Sequence, residues 1–170
     1  MVADEQAGFA QWARPSLLAM TRLASRLAPD ADADDIVQDA LVRAWQKWDQ
    51  FDPARGSATA WLLAITADRA RDARRSRLRR LRVVDDRAQP PEPPTRGPDL
   101  AEHSAAALDL DAAITQLTDR QQLAVHLHYF VGLAVDETAT VMGCAPGTVK
   151  STLFDARTRL RQLLGDDDEH

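Results

Sequence analysis

Cysteine is almost missing: Cys144 stands alone among 170 residues. No disulfide can form within the chain, which suits a reducing cytoplasm. Long apolar runs are missing as well. No stretch reaches the ~18 residues that cross a bilayer. The opening MVADEQAGFAQWARP lacks the basic start and apolar segment of a secretory leader, so a cytoplasmic protein without membrane insertion is expected. His126 and His128 are two residues apart and diverge on a helix, which is not zinc spacing; neither a metal nor another cofactor is expected. No phosphate-binding glycine loop, nucleophile elbow or H-E-x-x-H occurs, so the chain does not read as an enzyme. Alternating runs of Val, Ile and Thr are wanting too, which argues against strands.

What is present is helix-forming. Ala, Leu, Arg, Gln and Glu dominate, and apolar spacing predicts helices near 4–12, 15–28, 32–49, 57–81, 106–117, 119–130, 135–142 and 146–164. Pro15 fits the first turn of the second, and Thr118 and Pro146 fit helix starts. Between Val83 and Asp99, VVDDRAQPPEPPTRGPD holds five prolines and reads as an extended, solvated linker. The fold class is therefore all-α, with two small helical domains, 1–82 and 106–170, joined by a flexible proline-rich linker, 83–105. The second ends in an acidic tail. The net charge of −5 conceals segregation: residues 1–83 carry 14 basic and 11 acidic side chains, and 108–170 carry five and ten. A clustered basic surface can still serve nucleic acid.

In GCAPGTVKSTL, Gly143 can end one helix in the left-handed conformation, and Pro146 restarts the next. Val149, Leu153, Ala156, Leu160 and Leu163 or Leu164 form one apolar stripe. Thr148, Lys150, Ser151 and Arg157 lie opposite, where hydroxyls and basic groups at a helix start suit a major groove. A plain helical hairpin with a solvated face would look similar.

The N-terminal half has a polar series, Asp34, Asp35, Gln38, Asp39 and Arg43, beside the apolar Ile36, Val37, Ala40, Leu41, Ala44 and Trp48. The acids suit a helix start and a basic partner better than a cation. Eight arginines follow from Arg69 to Arg82, with only Asp72 opposing in that stretch. Such density calls for an anion, and backbone phosphates are candidates; a solvated helix end rich in arginine is the alternative. Trp12, Trp45, Trp48 and Trp61 read as core. The loop Phe51 to Ser57 is, as the resemblance drawn below implies, the better place for a captured, unstacked base.

Two resemblances gather these features. LDAAITQLTDRQQLAVHLHYFVGLAVDETATVMGCAPGTVKSTLFDARTRLRQLL resembles region 4 of the extracytoplasmic-function sigma factors, small subunits of bacterial RNA polymerase, through Leu117, Arg120-Gln121-Gln122, Tyr129-Phe130, Gly147 to Ser151 and Ala156-Arg157. DADADDIVQDALVRAWQKWDQFDPARGSATAWLLAITADRARDARRSRLRR is similar to region 2. The resemblance implies a sigma factor. Its partners would be core RNA polymerase (β′ clamp and β subunit), promoter DNA and an anti-sigma factor. Asp34, Asp35, Gln38, Asp39 and Arg43 would bind polymerase. Phe51, Arg69, Arg71, Arg74 and Arg75 would serve the −10 element. Thr148, Lys150, Ser151 and Arg157 would serve the −35 element. Asp68 replaces a family asparagine, Thr138 an apolar residue, and Thr152 and Asp155 basic residues; the last two are expected to remove phosphate contacts. A free-standing helix-turn-helix regulator that binds DNA without polymerase is the rival.

Overall fold

The computed structural model describes residues 2–84 and 105–165; most of the expected linker and the acidic tail lie outside this range. The helices are α1 (Val2–Ala13), α2 (Leu17–Leu27), α3 (Ala33–Gln46), α4 (Ala58–Val84), α5 (Ala105–Thr115), α6 (Asp119–Val125), α7 (Val135–Met142) and α8 (Pro146–Leu164). Among the described residues there is no strand.

Local chemistry sets the helix ends. Asp32 Oδ1 accepts from the backbone N–H of Asp34 at 2.8 Å and of Asp35 at 3.4 Å, an N-cap for α3. Thr118 and Gln121 close a capping box on α6. Pro15 sits in a short 3₁₀ turn, Arg14–Ser16, rather than in α2. Because α1 runs on to Ala13, the proline's fixed φ and missing N–H serve the tight link between the two helices.

Helices α2, α3 and α4 pack around Met20, Leu23, Ala40, Leu62 and Leu63. Burying each large aliphatic side chain stabilises by roughly 1.5–3 kcal/mol. An aromatic group closes one end, where Phe9, Trp12, Trp45, Trp48, Phe51 and Trp61 interlock with ring centroids 5.1 to 6.1 Å apart. The tryptophans are thus the edge of the core.

A second core lies among α5 to α8, with Ile114, Leu117, Ala124, Val125, Ala139, Val149, Leu153 and Ala156. Helix α6 and the turn after it serve both: Leu123 and Leu127 join the N-terminal core, with Leu133 and Val141 beyond. Adjacent residues therefore face opposite bodies, which hides the seam from a search for one apolar stripe. The helix runs on as a π-helical turn, His126–Val131, stopped by Gly132 at φ 86°. The wider turn sends Leu127 to one core and Phe130 to the other.

Candidate nucleic-acid interface

The break before α8 is built as its residues suggest. Gly143 takes φ 61°, and the Cys144 N–H donates to Ala139 O at 3.0 Å. Pro146 opens α8, where its missing N–H costs nothing. Val149, Leu153 and Ala156 are buried, Leu160 and Leu163 are half-buried, and Leu164 is exposed. Thr148, Lys150, Ser151 and Arg157 all face solvent. Among the described residues, no carboxylate pairs with Lys150 or Arg157.

Three further positions on α8 bear on this surface. Thr152 is buried, its hydroxyl donating to Thr148 O at 2.7 Å, so this position points to the core and its loss of a basic residue removes little from the solvent face. Asp155, by contrast, is exposed. Phe154 escaped the sequence reading. It is 60% exposed and shares a face with Lys150, Ser151 and Arg157 at helical spacing. The available signal was a large aromatic one residue off the apolar stripe.

The arginines of α4 meet a different environment. Asp72 holds Arg69 and Arg75, each at 2.6 Å. The hydrogen bond from Arg75, aided by the charge of Arg69, keeps the Asp72 carboxyl below its usual range despite opposing desolvation. Asp68 pairs with Arg71 at 2.9 Å. From the C-terminal body, Asp119 reaches Arg74 at 2.8 Å. Arg77 lies 3.9 Å from Asp30. The anion that the arginine density demands is thus largely supplied by the protein's own aspartates. Asp68, where the resemblance has asparagine, is one of them.

Phe51 is half-buried, 5.1 Å from Trp12 and 5.6 Å from Trp61 between ring centroids. Beyond it, Asp52 caps a short turn through the Ala54 N–H at 2.9 Å. Gly56, at φ 149°, lies so close to α7 that a Cβ would meet Thr140 Cγ2 at 3.0 Å. Ser57 Oγ donates to Glu137 Oε1 at 3.4 Å. The candidate base-capturing loop is therefore covered on one side by the helix-turn-helix.

Asp34, Asp35, Gln38, Asp39 and Arg43 are all exposed on α3, with the exposed Val42 among them. Asp39 also lies 4.0 Å from Arg69. This surface carries an apolar centre with an acidic surround.

At the seam, Arg26 lies 3.6 Å above the Phe130 ring and reaches Asp111 at 3.2 Å. His126 is buried beside it, with its Nδ1 unpartnered. Burial first, and then the charge of Arg26, push its pKa down to about 4, against an opposing effect of Asp111. The buried Thr138 hydroxyl is also unpartnered; it stands where the resemblance places an apolar residue. Among the described residues, no cluster of His, Cys, Asp or Glu is arranged to hold a metal, and no helix is long and apolar enough to cross a membrane.

Two family models match this chain. The sigma-70 region 2 model matches residues 15–80, and the sigma-70 region 4 model matches residues 107–160. The ECF RNA polymerase sigma factor SigL of Mycobacterium tuberculosis is 35% identical over 145 residues, 84% of this chain and 81% of the relative. The RNA polymerase sigma-E factor of Streptomyces coelicolor is 32% identical over 157 residues, 92% of this chain and 85% of the relative. The sigma factor RpoE, solved in complex with the anti-sigma factor NepR from Bartonella quintana, is similar with a TM-score of 0.72 and 30% identity, covering 94% of this chain and 98% of that one.

Proposed function

The chain belongs to the extracytoplasmic-function group of the sigma-70 family, the sigma subunits that direct RNA polymerase to promoters, and on that premise we propose how its surfaces divide the work. Residues 1–82 form the polymerase-binding and −10 body, 106–170 the −35 body, and 83–105 the connection. Asp34, Asp35, Gln38, Asp39 and Arg43 dock on the polymerase β′ clamp, around the exposed apolar side of Val42, and the C-terminal body lies on the β subunit. Arg69, Arg71, Arg74 and Arg75 serve −10 DNA by leaving their aspartates for phosphates. Phe51 supports the loop wall from within the aromatic cluster. Thr148, Lys150, Ser151 and Arg157 enter the major groove of the −35 element. The protein acts in the cytoplasm without catalysis of its own. An anti-sigma partner is proposed from RpoE, solved with the anti-sigma factor NepR.

The observation that carries this reading is the division of α8. Its apolar stripe is spent on the core, leaving a short polar and basic face outward at a helix start. The test is run-off transcription with purified core polymerase on a promoter library. Specific initiation by the added chain supports it. Specific DNA binding that needs no polymerase, with no initiation, overturns it in favour of a free-standing regulator.

A further inference from the structure

A cavity of about 200 Å³ lies at the seam, where the end of α2 and the turn after it meet α4, α5 and α6. Its lining divides into an apolar part, Leu27, Pro29 and Ala73, and a cationic part, Arg26, Arg74 and Arg77. Asp30 is the one carboxylate among the lining residues. Each of the three arginines donates a single hydrogen bond among the described residues, to Asp111, to Asp119 and to the Asp30 carbonyl in turn. A guanidinium carries five N–H donors, so most of this donor set is unspent. The Asp30 carboxylate stands 3.9 Å from Arg77, too far for a hydrogen bond. All three arginines and their aspartates are about a third or more open to solvent, where such pairs are weak and an incoming anion displaces the carboxylate. The opposite wall is fixed: Gln122 Nε2 donates to the Thr115 and Leu117 carbonyls at 3.2 and 2.9 Å. A cavity of about 150 Å³ takes benzene, so this one has room for a compact apolar group with an anionic substituent turned to the arginines. A phosphate monoester offers three oxygens to three guanidiniums and suits their planar forks; a carboxylate offers two.

We propose that this cavity binds a small phosphate monoester with a compact apolar body, and that the bound ligand lowers affinity for −10 DNA. The walls come from both bodies: α2 and α4 from one, Thr115 and Gln122 from the other. A ligand held between them favours their apposition by its higher affinity for that state. In that state α7 covers the Gly56 and Ser57 side of the candidate base-capturing loop. The ligand also engages Arg74, which the functional reading assigns to −10 DNA. The regulation rests on that assignment, and the binding site does not.

The probe is phenyl phosphate, titrated into the full chain at constant ionic strength and followed by calorimetry, with inorganic phosphate and benzoate as controls. Phenyl phosphate should bind one to one with a Kd below about 1 mM. Both controls should bind at least about tenfold more weakly, one for want of the apolar body and the other for want of the third oxygen. Arg77→Gln removes a guanidinium assigned to no DNA contact and should weaken the probe about tenfold. Ala73→Leu fills the apolar part, keeps every charge and should abolish binding. Fluorescence anisotropy with a single-stranded −10 oligonucleotide should show about fivefold weaker DNA binding when phenyl phosphate saturates the wild-type chain, and the oligonucleotide should weaken phenyl phosphate by the same factor. Ala73→Leu should show no such coupling. Absence of saturable binding overturns the proposal. So does equal binding of all three anions that survives Ala73→Leu, which is general attraction to arginine. Binding that leaves DNA affinity unchanged, or raises it, overturns the regulation. If Arg74→Ala holds the oligonucleotide as tightly as the wild-type chain does, the −10 assignment fails instead, and calorimetry still decides the site. Circular dichroism checks the folding of each variant. Should Ala73→Leu not fold, Arg77→Gln decides alone, and an unchanged affinity for phenyl phosphate there overturns the site.

Discussion

In the sequence the cations of α4 and of α8 look like the same kind of feature, basic groups awaiting phosphates. Their surroundings differ. On α4, Arg69, Arg71, Arg74 and Arg75 each have an aspartate within 3 Å, drawn from their own helix or from across the seam. On α8, Lys150 and Arg157 have none among the described residues. DNA gains the full charge of the second set, but gains only the difference between a phosphate and a carboxylate from the first. Density of arginine is therefore a poor guide to affinity; partnership decides how much of the charge is available. The seam extends the paired side of the contrast inward, to Arg26 between Asp111, Phe130 and His126.

The largest effect is expected there. His126 has a folded pKa of about 4 against 6.5 for the free side chain, so the folded state resists its protonation. Its contribution is fully present above pH 6.5 and is lost as pH falls toward 4, by on the order of 3 kcal/mol. Urea unfolding across that window should show the decline, and His126→Phe should flatten it. Persistence of the full slope in His126→Phe would assign it to other groups. Acid loss of the Asp72 pairs is separable, because a depressed carboxyl gives up its stabilising contribution only as pH falls below the ordinary carboxylate range.

Next comes the direct contrast. Lys150→Ala should lower −35 binding by roughly 5- to 150-fold, the 1–3 kcal/mol of one recognition contact, and leave polymerase binding unchanged. Arg75→Ala should cost −10 DNA affinity less, because Asp72 already holds that guanidinium at 2.6 Å. Equal losses would erase the distinction between the two helices. Asp155→Arg should then strengthen −35 binding by a smaller factor and steepen its salt dependence by about one phosphate, since it converts a repelling group on the unpaired surface into an attracting one.

Much of this layout was legible because it depends on local order. The Gly143 stop, the Pro146 start, the Thr118 cap and the stripe through Val149, Leu153 and Ala156 are all set by residues a few positions apart. The exposed faces of α3 and α8 followed from the same periodicity. What escaped depends on residues far apart in the chain. Nothing near Arg74 announces Asp119, and nothing near Gly56 announces Thr140. The resemblance puts a basic residue at Thr152, but its position next to Leu153 on the inner side of α8 places it against the core. Helix α6 divides its side chains between two bodies, so its pattern looks like plain hydrophobicity instead of two narrow stripes. Phe154 lies one residue past Leu153 in that stripe, so periodicity alone marks it neither as core nor as polar face.

The smallest expected effect tests whether the paired arginines are restrained by their partners. Arg74 and Asp119 are both substantially exposed, with side chains 44% and 73% accessible, so their bond should contribute no more than about 1 kcal/mol to stability. Asp119→Asn should leave the unfolding midpoint nearly unchanged. Yet it frees a guanidinium assigned to −10 DNA. Fluorescence anisotropy of the free chain with a single-stranded −10 oligonucleotide should show a gain of about two- to threefold at low salt, fading as added salt screens the exposed charges. Asp111→Asn provides the contrast, because Arg26 keeps its place over Phe130 and is assigned no DNA contact; it should leave this binding unaltered. A gain of the same size in both variants would mean that loosening the seam, and not release of Arg74, raises the affinity. The contact of Gly56 and Ser57 with α7 would then be the dominant restraint on the −10 surface.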